Sequence, residues 1–144
     1  MRSPLCIVLP VLNEAATLEA TLQNLTPLRL RGACVVVVDG GSTDATMALA
    51  RPHADVVMAS ARGRAAQMNA GAALGRGDVL LFLHADTTLP DRADQWVQQA
   101  LAAGHAWGRF DVRIVGSHWV LPVVATLMNW RSRWTGIATG DQAL

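Results

Sequence analysis

The stretch Gly77 to Pro90, GDVLLFLHADTTLP, constrains this chain most. Its apolar run Val79 to Leu83 is opened by Gly77-Asp78 and closed by Thr87, Thr88 and Pro90. A short continuous apolar run between turn residues predicts a strand covered on both faces. Such a strand belongs to an α/β sheet, and the polar turn after it, His84-Ala85-Asp86, then falls at the sheet's carboxyl edge. Open α/β sheets bind ligands there. A carboxylate at that edge can hold a metal ion against a phosphate.

Other segments repeat the strand-then-helix rhythm. Cys6 to Leu12 reads as a first strand, with Asn13 capping a helix whose Leu18, Leu22 and Leu25 recur at helical spacing and whose unit closes at Pro27 and Gly32. Ala33 to Val38 is a second strand, running into Asp39-Gly40-Gly41-Ser42-Thr43-Asp44, where Ser42 or Thr43 would cap a helix ending near Pro52. Asp55 to Ser60 is a short third strand, and Ala65 to Leu74 a helix after Arg62-Gly63-Arg64. Asp91 to Ala103 is an amphipathic helix with Trp96, Val97 and Leu101 on one side. Ala106 to Val115 alternates as an edge strand would, and Ser117 to Arg133 reads as a helix broken near Pro122. Strand-helix units in succession predict a mostly parallel sheet with right-handed crossovers, flanked by helices.

At 144 residues one domain is the expectation, here residues 1–144. The formal net charge is +1 and the arginines are scattered, which argues against a nucleic-acid face. The two cysteines, Cys6 and Cys34, sit inside apolar runs and read as small buried hydrophobes. No run approaches the roughly 20 apolar residues of a spanning helix, and no signal peptide is recognisable, so a cytoplasmic setting is expected. The run Trp119 to Trp130, followed by Arg131 and Arg133, leaves two roles open: core or oligomer contact, or rest against a membrane surface.

Several local patterns can carry chemistry, each with a plainer alternative. Asp39 at a strand's end can accept hydrogen bonds from a base or ribose, or simply anchor a turn. Asp86 can be a metal ligand or begin an Asx turn. His84 can bind Mn²⁺ or a diphosphate oxygen, or be a satisfied strand-end residue. The basic loop Arg62-Gly63-Arg64 can face a pyrophosphate or be solvated. Asn69 is an unusual residue in an apolar-faced helix and can point at a ligand. Asp141 can act as a general base or as a helix cap.

In this order, IVLPVLNEAATL at 7–18, VVVVDGGSTDAT at 35–46, RGRAAQMNAGAALGRGDVLLFLHADTTLP at 62–90 and TGDQ at 139–142 resemble the family 2 glycosyltransferases of the GT-A fold. The subgroup most similar in pattern is the bacterial transferases associated with radical-SAM and selenoprotein domains. The resemblance implies a GT-A-type, Rossmann-like sheet, and an ending at residue 144 that truncates it. It implies transfer of a sugar from a nucleotide-diphosphate sugar to an acceptor hydroxyl, inverting and assisted by Mg²⁺ or Mn²⁺. Pro10, Asn13 and Glu14 would lie by the base, Asp39 on base and ribose, and Arg62, Gly63 and Asn69 beside the nucleotide. His84-Ala85-Asp86 takes the D-x-D place, with Asp86 on the metal, and Asp141 would be the catalytic base. DGGS stands where DDGS is usual. A catalytically impaired nucleotide-binding module and a nucleotidyltransferase are the competing readings.

Overall fold

The structure, a computed structural model, describes residues 3–111 and 121–135. Strands β1 (Ser3–Val11), β2 (Cys34–Asp39), β3 (Val56–Ala59) and β4 (Gly77–Phe82) form one parallel sheet in the order β3-β2-β1-β4. The register pairs Cys6 with Cys34 and Val11 with Asp39 on one side of β1, and Ser3 with Gly77 and Val8 with Phe82 on the other. Around the sheet lie α1 (Leu18–Asn24), α2 (Thr26–Leu30), α3 (Thr46–Ala50), α4 (Arg64–Ala73) and α5 (Ala93–Ala102), with α6 (Leu121–Thr135) following.

Strand alternation sorts the core into two layers. Leu5, Ile7, Leu9, Val11, Val35, Val37, Leu81 and Leu83 face one way and bury Leu18 and Leu22 from α1, Leu28 from α2 and Leu25 between the two helices. Cys6, Val8, Val36 and Val38 face the other way. There α4 packs onto β1 and β2. Its close approach depends on Gly71, where a Cβ would stand 2.4 Å from Cγ1 of Val8.

Several expectations change. The strand covered on both faces is not the one at 79–83. That role falls to β1 and β2, where Cys6 to Leu9 and Val35 to Val38 are wholly buried. β1 has strand neighbours on both sides, whereas β4 is the edge of the described sheet, with Asp78 exposed and Val79, Leu80 and Phe82 half-buried. Asn13 caps no helix: α1 begins at Leu18, because the chain after Glu14 first makes a turn in which Thr17 and Leu18 N–H donate to the Glu14 carbonyl. Pro27 opens α2 instead of ending a unit, as suits a residue with no N–H to lose in a first turn. The helix after β2 starts at Thr46, with Asp44 Oδ1 accepting from Thr46 N–H at 3.0 Å, so neither Ser42 nor Thr43 caps it. Residues 106–111 belong to no strand, and 112–115 lie outside the described residues. Pro122 lies near the described start of α6, and residues 117–120, on which the expected break turns, lie outside the described residues. On α5, Trp96 and Leu101 remain exposed, and of these three only Val97 packs against the core, with Ala93 buried at the helix start.

Candidate functional site

The chain runs β1, β2, β3 in one direction across the sheet and then crosses back to place β4 on the far side of β1. The switch point therefore lies between β1 and β4, and loops leaving their carboxyl ends part there to open a crevice. A cleft of about 270 Å³ occupies that position, walled by Pro10 near the end of β1 and Leu12 and Glu14 after it, by His84 and Asp86 after β4, and by Arg62, Gly63, Arg64 and Gln67 at the start of α4.

The His84-Ala85-Asp86 turn presents both chemical side chains because its alternation continues that of β4. Leu83 and Ala85 point into the core at 1% and 3% exposure, so His84 and Asp86 point out. Leu83 N–H still donates to the Val8 carbonyl at 3.0 Å, and the Ala85 carbonyl accepts from the buried Thr21 hydroxyl of α1. Thr87 N–H returns to the His84 carbonyl at 3.1 Å, and its hydroxyl donates to Asp86 Oδ1 at 3.2 Å. Asp86 is thus exposed, on a turn fixed from beneath.

The loops after β1 and β2 brace each other. Asn13, at φ 53°, donates its N–H to Ser42 Oγ at 2.8 Å and accepts Thr43 N–H on Oδ1 at 2.8 Å. Glu14 N–H donates to Thr46 Oγ1 at 2.9 Å, and Ala15 N–H to Asp44 Oδ2 at 3.2 Å. The Thr46 hydroxyl on its carboxylate, foremost, holds Asp44 below the usual carboxylate range. Asp39, 3% exposed, accepts Gly41 N–H and Ser42 N–H on Oδ2 at 3.0 and 2.9 Å, and the Ser42 hydroxyl on Oδ1.

Six of the residues singled out in the sequence, Pro10, Glu14, Arg62, Gly63, His84 and Asp86, therefore line one cleft. Asp39 does not: it ends β2, on the other side of β1, and its carboxylate organises its own loop. Asn13 likewise serves the loop, holding Ser42 and Thr43. Asn69 is exposed two residues beyond Gln67 and lies on a different face of α4, away from the lining. Asp141 lies outside the described residues. Arg64, the second arginine of the basic loop, lines the cleft with those six, and Gln67 escaped the sequence reading. For Gln67 the signal was a long polar side chain one turn into a helix of small residues.

The donor set suits a hard divalent cation in one specific manner. Among the described residues no cluster of three His, Cys, Asp or Glu side chains could hold a metal ion. A cation bound by one or two carboxylates together with substrate phosphates needs no such cluster. Asp86 could provide such a carboxylate, and Arg62 and Arg64 bring positive charge to the same cleft.

Residues 6–136 match the family model described as glycosyl transferase family 2. The succinoglycan biosynthesis protein ExoA of Rhizobium meliloti is 41% identical over 111 residues, covering 68% of this chain and 33% of that protein. A PGL/p-HBAD biosynthesis glycosyltransferase of Mycobacterium tuberculosis is 37% identical over 90 residues, covering 58% and 35%. The chain thus spans about a third of the length of these curated relatives. Among solved structures, the M. tuberculosis glucosyl-3-phosphoglycerate synthase superposes with a TM-score of 0.59 at 29% identity over 71% of this chain and 41% of that one. The mannosyltransferase PcManGT from Pyrobaculum calidifontis, solved with GDP-Man and Mn²⁺, gives 0.66 at 22% identity over 99% and 44%, a likeness of fold.

Proposed function

Because this chain belongs to glycosyl transferase family 2 and carries its GT-A-like parallel sheet, we propose that the switch-point cleft binds a nucleoside-diphosphate sugar and that the protein transfers the sugar to an acceptor hydroxyl with inversion. The observation that carries this reading is the convergence of Arg62, Arg64, His84 and Asp86 on one cleft between β1 and β4. Mycobacterial glucosyl-3-phosphoglycerate synthase, solved with Mn²⁺, UDP-glucose and phosphoglyceric acid, supports the ligand class.

Asp86, with His84 beside it, would hold Mg²⁺ or Mn²⁺. Such an ion would supply positive charge for the oxygens of the nucleoside diphosphate that leaves. Arg62 and Arg64 neutralise the same oxygens, and charge fixed in place before reaction needs no reorganisation at the transition state. Asp39 and Asn13 shape the two loops around the base, with Pro10 and Glu14 as the near wall. Asp141 removes the acceptor's proton as general base.

The ordered match of the RGRAAQMN and HADTTLP segments supports placement in the radical-SAM and selenoprotein-associated subgroup. Residues 1–144 form one nucleotide-sugar-binding domain in a cytoplasmic protein. On α6, exposed Val123, Val124, Leu127 and Trp130 precede Arg133, a pattern that supports peripheral contact with a membrane carrying a lipid-linked acceptor, or with a second copy of the chain. Among the described residues no helix is long and apolar enough to cross a membrane.

Calorimetric titration with UDP and GDP, each with Mn²⁺ or Mg²⁺, tests the reading. Metal-dependent binding is expected, and a folded sample that binds neither sinks it. Turnover of a sugar nucleotide that is lost in Asp141→Asn while binding persists supports the base. Binding without turnover identifies a binding module instead, and pyrophosphate release from a nucleoside triphosphate a nucleotidyltransferase.

A further inference from the structure

Two strand ends, of β1 and β2, meet α4 at one buried amide. Gln67 is 4% exposed, and its Nε2 donates to the carbonyls of Val11 and Val38, both at 2.8 Å. A carboxamide nitrogen has two N–H groups, so both are used, and two carbonyl acceptors fix which end of the amide faces the strands. Val11 ends β1 and Val38 is the penultimate residue of β2, so the bonds brace the strands where the chain leaves the sheet. The backbone N–H of Gln67 donates to the Gly63 carbonyl at 2.9 Å, closing the first turn of α4. On its remaining side Gln67 fills the room a side chain at residue 40 would need: a Cβ on Gly40 would stand 2.9 Å from Oε1.

Arg62 and Arg64 are exposed, and Gly63 between them adopts φ 136°, a conformation that favours glycine. What anchors that loop to the sheet is the turn of α4 that Gln67 holds. We infer that Gln67 is a positioning residue. It sets the separation between the arginine wall and the Pro10–Glu14 wall of the cleft, and so governs diphosphate affinity through Arg62. The link to diphosphate rests on the donor-site reading above; the link to cleft geometry does not.

The test compares Gln67→Met, which keeps the volume and removes both donors, with Leu28→Ala, a core truncation in α2 on the opposite face of the sheet. Hydrogen exchange of the ligand-free chain is followed at residues 67–70, whose N–H groups bond the first carbonyls of α4, and UDP affinity is measured with Mn²⁺. Gln67→Met should raise exchange at these residues about tenfold and weaken UDP by about the same factor. In an Arg62→Ala background it should change UDP affinity by less than about twofold, since coupled residues are non-additive. Leu28→Ala should lower stability with neither local effect. Unchanged protection at 67–70, equal loss of affinity in both variants, or additivity with Arg62→Ala would each overturn the inference. If the wild type binds no UDP, the donor-site reading falls, and the exchange comparison still decides whether Gln67 sets the wall. Should Gln67→Met not fold, Gln67→His, which retains a single donor at shorter reach, runs the same comparison.

Discussion

Arg31 grips Asp94 with two parallel hydrogen bonds, Nε to Oδ2 at 2.7 Å and Nη2 to Oδ1 at 2.9 Å, and so ties the end of α2 to the first turn of α5. Nη2 also reaches the Asp91 carbonyl at 2.7 Å. The Arg31 guanidinium, ahead of other causes, lowers the Asp94 carboxyl below its usual range. A carboxyl lowered in the folded state stabilises the protein above its unfolded value, about 3.9, and that contribution is lost as pH falls through the folded value. Asp94→Asn should therefore be less stable than wild type at neutral pH, with the difference closing below about pH 4. Urea denaturation across pH 2 to 7, conditions chosen to bracket the usual carboxyl range, measures it.

Gly71→Ala should destabilise the fold although alanine is the better helix former. The new methyl would stand 2.4 Å from Val8 Cγ1 and 3.1 Å from Val38 Cγ2, so α4 must lift from the sheet. Overpacking of this kind costs about 1–3 kcal/mol, against a helix-propensity gain of about 1 kcal/mol. A stability equal to or above wild type in chemical denaturation would show that the interface yields.

Gly40→Ala should cost about 1 kcal/mol by displacing the Gln67 amide from its carbonyls. In a Gln67→Ala background that cost should largely vanish, because the obstructing atom is gone. A double-mutant cycle of unfolding free energies decides it; additive values would mean that residue 40 and Gln67 do not share the space.

Asp86→Asn should leave stability within about 0.5 kcal/mol of wild type, since the side chain is exposed on a turn fixed by Thr21 and Thr87. Metal-dependent UDP binding should weaken by about a hundredfold or more. Calorimetry with and without Mn²⁺ separates the two effects, and unchanged binding would remove Asp86 from the metal site.

Burial pushes the Cys6 thiol up to about 12 and raises Cys34 as well. The thiolate is the reactive form, so alkylation of Cys6 near pH 8 should be slower in the native chain than in the unfolded one by on the order of a thousandfold. Mass spectrometry of iodoacetamide adducts with and without denaturant checks this, and rapid native labelling of Cys6 would contradict it.

Local pattern carried most of the architecture into view. Short apolar runs between turn residues gave β1 to β4, and the leucines of α1 declared its buried face. The HxD spacing of His84 and Asp86 followed from strand alternation. Errors arose where a side chain's partner lay far along the chain. Asn13 looked like a helix cap, yet Ser42 and Thr43, about thirty residues on, claim its hydrogen bonds.

Residue periodicity and turn chemistry, being local, were enough to predict that this chain forms strand-helix units and that carboxylates, a histidine and arginines follow the strands. Which of those groups share a cleft was decided only by strand order, a long-range outcome of packing. With β1 between β2 and β4, His84 and Asp86 meet Glu14 and Arg62, while Asp39 turns inward to its own loop. The place of Gln67 is of the same kind, for its amide acts only where two strand ends separated by dozens of residues converge.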